Sequence, residues 1–337
     1  MAKGDLLKLA KSRGGPLYKK RSRSAKKTQP AVRYLRYELV NSANPNTETS
    51  HFIDLAKDLS AVNRRLYRQG RNYHVKRITV VSSNTPNVGY TDPTTLITGG
   101  RVSVGAAPTS WVTQMAWKRG FEVFKEMNSR AMTNVAGDIT GTWSDFKIYL
   151  STDHRNGTKL VPLDNGGNAV SVGEWVSSRF ISPDGTTSAD EFDAVLLGDH
   201  VGAAGSRVSV GLVKSYGESR STVTFGDPSV PGNLSDDPLL NVFDYGTEID
   251  EVLNRLESDN DTPPYDQANY PGDDANMPKP IVVQDATLSD GKTTMGGFTA
   301  MCGILELESK SPIANDTYSV LVELAPGNYR GIKADVI

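Results

Sequence analysis

The residues whose types and spacing could do chemistry crowd the start of the chain. Between Met1 and Arg36 stand seven Lys and five Arg against a single acidic residue, Asp5, a net charge of +11. Residues 37–337 hold 25 Lys+Arg and 38 Asp+Glu, a net of −13, so the overall −2 conceals two unlike parts. The densest run, Lys19-Lys20-Arg21-Ser22-Arg23-Ser24-Ala25-Lys26-Lys27, spaces cations along an extended backbone much as phosphates are spaced along a nucleic acid. The candidate phosphate-binding residues are Lys8, Lys11, Arg13, Lys19, Lys20, Arg21, Arg23, Lys26, Lys27, Arg33 and Arg36. Binding by such a segment is blind to sequence and driven by counterion release. Its log–log salt slope should approach about −0.7 per contact for a single strand. Tyr18, Tyr34 and Tyr37 could add base stacking.

Beyond Leu6, Leu7, Leu9 and Leu17 this arm has little apolar surface to offset the entropy of ordering it, so it is expected to be disordered. A solvated tail, an import signal and a membrane-surface segment are the other readings of such a charge run. An import signal is compatible with nucleic-acid binding. Asp5 to Lys11 could form two turns of basic amphipathic helix, too short to anchor at a bilayer. A second basic cluster comprises Arg64, Arg65, Arg68, Arg71, Lys76 and Arg77. It reads equally as a floor beneath the arm or as a helix end matched to its dipole and paired with carboxylates.

Catalytic patterns are scarce. The chain contains no phosphate-binding Gly-rich loop, no Gly-x-Ser-x-Gly elbow and no His-Glu-x-x-His. His51, His74, His154 and His200 lie far apart, which argues against zinc, and the lone Cys302 beside Met301, Gly303 and Ile304 reads as a buried thiol. Residues Asp227–Asp274 carry thirteen Asp+Glu against Arg255, a stretch expected to face away from phosphate. Asp259-Asn260-Asp261 there lacks the glycine of a calcium loop. No cofactor, metal or catalytic residue is expected. No apolar run reaches the length that spans a bilayer, and the charged start lacks a following apolar stretch, so neither membrane insertion nor secretion by that route is expected.

The elements that must position these groups are mostly strands. Val32–Asn41 alternates as a strand, and a helix is expected from a cap at Thr49 or Ser50 through Phe52, Leu55, Leu59, Val62 and Leu66 to Gly70. Strands are expected at Tyr73–Ser83 and Arg101–Ala106, and a helix over Pro108–Met132 capped by Thr109 or Ser110. Further strands are expected at Trp143–Ser151, Val170–Ser182, Glu191–Leu197, Arg207–Ser215 and Ser221–Phe225. A helix near Thr247–Glu257 precedes strands at Pro280–Thr287, Thr299–Leu307 and Tyr318–Leu324. Val-Ser-Val-Gly recurs at 102–105, 170–173 and 208–211, at unequal intervals that speak for strand composition and not for a repeat. Eight or more strands with few helices imply an all-β sandwich or jelly roll.

The segments RYLRYELVN, ETSHFIDLAKDLSAVNRRLYRQGRNYHVKRITV, SWVTQMAWKRGFEVFKEMN and WSDFKIYL, behind a basic arm, resemble the capsid proteins of small circular Rep-encoding single-stranded DNA (CRESS-DNA) viruses, including unclassified members. The resemblance covers the arm and roughly Arg33 to Leu150. It implies a disordered arm over residues 1–32 and a single jelly roll over 33–337, of two four-stranded antiparallel sheets with a few helices in long loop insertions. It further implies a homo-oligomeric icosahedral shell of about 60 copies or a multiple, an arm turned inward onto single-stranded DNA, host import factors as partners, and residence in the virion and, during assembly, the host nucleus. Two alternatives stay open: a jelly-roll capsid protein of a small RNA virus, with the same fold and arm, and a β-sandwich enzyme with a basic targeting tail.

Overall fold

The computed structural model describes residues 30–83, 100–133, 145–182, 190–202, 207–219 and 280–337. The cations from Lys8 to Lys27, the acidic stretch 227–274, the strand expected at Ser221–Phe225 and the helix expected at Thr247–Glu257 lie outside these residues.

Period-two alternation makes the first strand, β1 (Tyr34–Val40), in which Leu35, Tyr37 and Leu39 are buried and the residues between them exposed. β2 (Thr49–Asp54) runs directly into helix α1 (Leu55–Asn63), and β3 (Arg71–Ser82) and β4 (Arg101–Ala106) follow. The long helix α2 (Trp111–Thr133) is capped as expected by Ser110, whose Oγ accepts from the Thr113 amide at 3.2 Å. Then come α3 (Thr152–Asn156), β5 (Thr158–Lys159), β6 (Arg179–Ser182), β7 (Asp190–Val195), β8 (Ser209–Gly211) and α4 (Leu212–Ser219). The last described stretch holds β9 (Ile281–Thr287), β10 (Lys292–Met295), β11 (Phe298–Met301), β12 (Ile304–Lys310), β13 (Thr317–Leu324), β14 (Pro326–Gly327), β15 (Gly331–Ile332) and β16 (Ala334–Val336). None of the helices among the described residues is long and apolar enough to cross a membrane.

The described chain is mostly β, with few helices, in curled antiparallel sheets. One sheet has the order β1-β13-β3-β10, with β11 and β16 also paired to β3, and the other has the order β5-β2-β12-β4-β9. Strands β10 and β11 occupy successive lengths of one edge of β3, and β13 and β16 successive lengths of the other. Six strands therefore fill four positions across. The connections from β1 to β2, β2 to β3 and β3 to β4 each change sheet, as do those from β9 to β10, β11 to β12 and β12 to β13. Buried side chains of both sheets, among them Leu35, Tyr37, Val80, Val104, Leu305 and Val320, meet in one core. A second cluster packs Val112, Ala116 and Trp117 of α2 against Phe146, Ile148, Leu196 and Met301.

Sheets of six, five, three and two strands replace the two four-stranded sheets expected. The short β5 and β16 add rungs at the margins, and the strand along the outer edge of β3 breaks at Gly296-Gly297. There a side chain on Gly297 would come within 2.9 Å of the Lys76 carbonyl oxygen. The helix expected from Thr49 starts later, because residues 49–54 pair with β12, Phe52 opposite Glu306, and that ladder overrides the helical spacing. Of the expected strand at Trp143–Ser151, the described part makes only an isolated bridge from Tyr149 to Val195. Val170–Ser182 is a strand only from Arg179, and Arg207–Ser215 is the three-residue β8 followed by α4. Hence Val-Ser-Val-Gly lies in β4 and ends β8, but at 170–173 is irregular.

The expected strand Thr299–Leu307 is broken in two by a corner at Cys302 and Gly303, with φ of 59° and 72°, where the chain passes from one sheet to the other. Cys302 is buried, and burial pushes its thiol pKa well up. A Cβ on Gly303 would sit 2.8 Å from Cδ2 of Tyr73. Gly303→Ala should therefore lower stability by about 1–3 kcal/mol, since it meets both left-handed backbone and a ring held in the core. Urea unfolding checks this, and an unchanged midpoint would show that the corner relaxes freely.

Candidate functional site

The site is assembled around the junction of β2 and α1. Asp54 has extended backbone, φ −108°, and caps the helix, its Oδ1 accepting from the Lys57 amide at 3.1 Å. Its other oxygen, Oδ2, accepts from Gln69 Nε2 at 2.8 Å and from Trp175 Nε1 at 3.0 Å. Gln69 in turn accepts from the Ile148 amide at 2.7 Å and donates its own amide to Asp145 at 3.2 Å. One carboxylate thus ties the helix to the loop before β3 and to the insertion that carries Trp175. Burial raises the Asp54 pKa, while its bonds to the Lys57 amide, Gln69 and Trp175 pull it back down.

At the far end of α1 the chain turns through Arg64 in left-handed conformation, φ 52°. Asn63 grips the strand-ward end of the basic segment: its Oδ1 accepts from the Val32 amide at 2.7 Å and its Nδ2 donates to the Val32 oxygen at 3.0 Å. Arg65 Nη1 donates to the Pro30 oxygen at 3.3 Å. The basic segment therefore joins the folded body at the C-terminal end of α1. Beside that junction lies an open groove of about 410 Å³, lined by Lys57, Arg64, Arg65, Val172, Glu174 and Trp175 together with small side chains of α1.

The six cations read from the sequence as one cluster differ in what they contact. Arg68 approaches Asp145 at 3.6 Å, and Lys76 and Arg77 share the nearly buried Glu323, at 2.7 and 2.5 Å. The hydrogen bond from Lys76, with that from Arg77, holds the Glu323 pKa below the usual carboxylate range. Arg71 stacks 3.8 Å over the Tyr329 ring and donates to the Ala334 oxygen at 3.4 Å. Arg68, Lys76 and Arg77 thus meet carboxylates, and Arg71 a ring and a backbone oxygen. Arg64 and Arg65 are exposed and, like Lys57, form no ion pair among the described residues. Of the predicted arm cations, Arg33 and Arg36 are described. The Arg33 backbone oxygen accepts from the Leu324 amide at 2.9 Å, and exposed Arg36 pairs with Glu38 at 2.8 Å.

Sequence reasoning missed Lys57, Gln69 and Trp175. An Asp followed three residues later by the first free helical amide is a legible cap signal, but a Trp arriving from 121 positions away carries none. It also missed Asp58, fully buried on α1, whose Oδ2 accepts from Tyr37 Oη of β1 at 2.7 Å while Oδ1 has no hydrogen-bond partner among the described residues. The histidines scatter: His154 is buried, accepts from the Leu150 amide and stacks on Phe52 at 5.0 Å, and burial lowers its pKa to about 3. Among the described residues no three His, Cys, Asp or Glu side chains are placed to hold a metal ion. Comparison with protein-family models, curated proteins and solved structures gives no match.

Burial raises the Asp58 carboxyl from 3.8 to about 8. A carboxyl that holds its proton more tightly when folded contributes stability that is fully present below pH 3.8 and is lost as pH rises toward 8. Asp58→Asn, which keeps the acceptor for Tyr37 without the charge, should match the parent in acid and melt higher at pH 8. Thermal melts across that range check the sign. Equal pH profiles for the two proteins would mean that Asp58 ionises without cost.

Proposed function

We propose that this chain is a viral capsid protein that self-assembles into an icosahedral shell around a single-stranded DNA genome, built on a single jelly roll with long insertions. The observation that carries the reading is the strand order. With β10 and β11 taken as one broken strand, the sheets run β1-β13-β3-β10/β11 and β2-β12-β4-β9, and the chain changes sheet at almost every step. Such an order supports the reading of a wrapped double-sheet jelly roll, and a closed sandwich of that kind leaves its loops for contacts around symmetry axes. The insertions fall between β4 and β9, where α2, α4 and the small β6–β7–β8 sheet lie.

The charge division supports the same reading. A net of +11 in the first 36 residues suits a polyanion, and the rest of the chain, at −13, does not compete for it. The segment enters the folded body at one clamped point, Pro30–Val32, so in a shell every copy would deliver its cations from the same place. The phosphate chemistry is shared by RNA, so the nucleic acid inside purified particles is to be identified by its sensitivity to DNase and RNase. A coat of this kind acts as a homo-oligomer in the virion and, for a DNA genome copied in the nucleus, meets host import factors on the way. It needs no cofactor.

A chain lacking residues 1–29 keeps Pro30 and all of β1. It should fold and still form particles, but these should carry far less nucleic acid than those of the full chain. Absorbance spectra of purified particles check this. Equal nucleic-acid content with and without the segment would overturn the assignment of packaging to it.

A further inference from the structure

Three cations, Lys57, Arg64 and Arg65, line one groove and form no ion pair with any carboxylate among the described residues, while the neighbouring Arg68, Lys76 and Arg77 are each matched. The helix C-terminus accounts for the attraction of positive charge to Arg64 and Arg65. It does not account for Lys57, two turns earlier, nor for the opening of the groove between these residues and Trp175. We propose that this groove is a subsite for one nucleotide of single-stranded nucleic acid, its phosphodiester held by Lys57, Arg64 and Arg65 and its base set against the Trp175 side of the groove. The inference rests on the reading of the chain as a nucleic-acid-packaging protein, and places part of that contact on the folded body.

The size and chemistry of the groove fit. About 410 Å³ lies within the usual range of small-ligand sites. Trp175 is half-buried, with Lys147 Nζ 5.1 Å over its ring, and its indole nitrogen donates to the same Asp54 carboxylate that caps α1, so the aromatic wall is tied to the start of the helix that carries Lys57. Such preorganisation lowers the ordering cost of binding, and an aromatic wall favours bases without regard to sequence. Arg65 also touches the Pro30 oxygen, so the groove begins where the basic segment enters. A strand neutralised by that segment would be led directly over it. Glu174, the one carboxylate of the lining among the described residues, opposes the anion.

Oligothymidylate binding to the full-length protein tests the proposal, measured as affinity against salt and followed by ultraviolet cross-linking with peptide mapping. Replacing Lys57, Arg64 and Arg65 together with Gln should reduce the salt slope by about 0.7 for each phosphate no longer neutralised and remove cross-links from the peptide that contains Trp175. Glu174→Gln, which only removes the opposing charge, should tighten binding by about 2- to 5-fold, and it tests the subsite even if the triple variant fails to fold. Binding that disappears when the cations of Lys19–Lys27 become Gln, yet is unmoved in slope, affinity and cross-links by both groove variants, would overturn the subsite and leave the packaging role intact. A full-length protein with no affinity for the oligonucleotide would overturn both.

Discussion

The cap of α1 by Asp54 is the interaction on which the cationic face of this molecule depends. A carboxylate at a strand-to-helix junction would ordinarily satisfy one or two amides of the first turn. Here it also receives Gln69 and Trp175, and through Gln69 the backbone of Ile148, so that β2, α1, the approach to β3 and the insertion after α2 meet at one side chain. Desolvating it is unfavourable, and its raised pKa records that. Three donors offset the cost, because bonds to a charged acceptor are stronger than neutral ones. Without the carboxylate the Lys57 amide would lose its cap and Trp175 its tie to the helix.

From that junction the two ends of α1 take different tasks. Its start is locked into the sandwich by the cap, by the ladder between β2 and β12, and by the Leu55 amide, which donates to the Gly303 oxygen at 2.7 Å across the corner between the sheets. Its end holds Val32 through Asn63 and presents Arg64 and Arg65 outward. Between them, Asp58 is buried against Tyr37 of β1, whose hydroxyl donates to it, with Lys57 as a nearby positive charge. The packed helix thereby connects the core of the proposed jelly roll to the place where the basic segment departs. The free side of β1, an edge strand, is partly covered by the Leu163 amide, which donates to the Arg36 oxygen at 2.8 Å and blunts an edge that could otherwise pair with another chain.

Strands whose alternation is simple and whose partners are central were legible: β1, β3, β4, β9 and β13 lie within a few residues of where the apolar pattern put them. Helix α2, with its Ser110 cap, was legible for the same reason, since both periodicity and capping are local. Errors arose where tertiary contacts outweigh local pattern. Residues 49–54 carry apolar groups at helical spacing, yet pair as a strand because β12 lies beside them. The corner at Cys302-Gly303 has only one glycine to announce it, and the second left-handed residue is a cysteine. At the candidate site, Arg64 and Arg65 were visible as charge. That Arg68, Lys76 and Arg77 pair with carboxylates was not, because Asp145 and Glu323 lie far away in sequence. Trp175 lay in a stretch read as strand, and its bond to Asp54 joins residues too far apart in sequence for local pattern to reveal.

Whether the proposed coat protein closes into a shell around nucleic acid is decided by sedimentation velocity of the full-length protein, with nucleic-acid and protein absorbance recorded together. A shell should sediment as a fast boundary whose nucleic acid resists added nuclease, of about 2 MDa in protein for about 60 copies of a 36.5 kDa chain. A single slow boundary at the mass of one chain, unchanged by salt or by added single-stranded DNA, would contradict it.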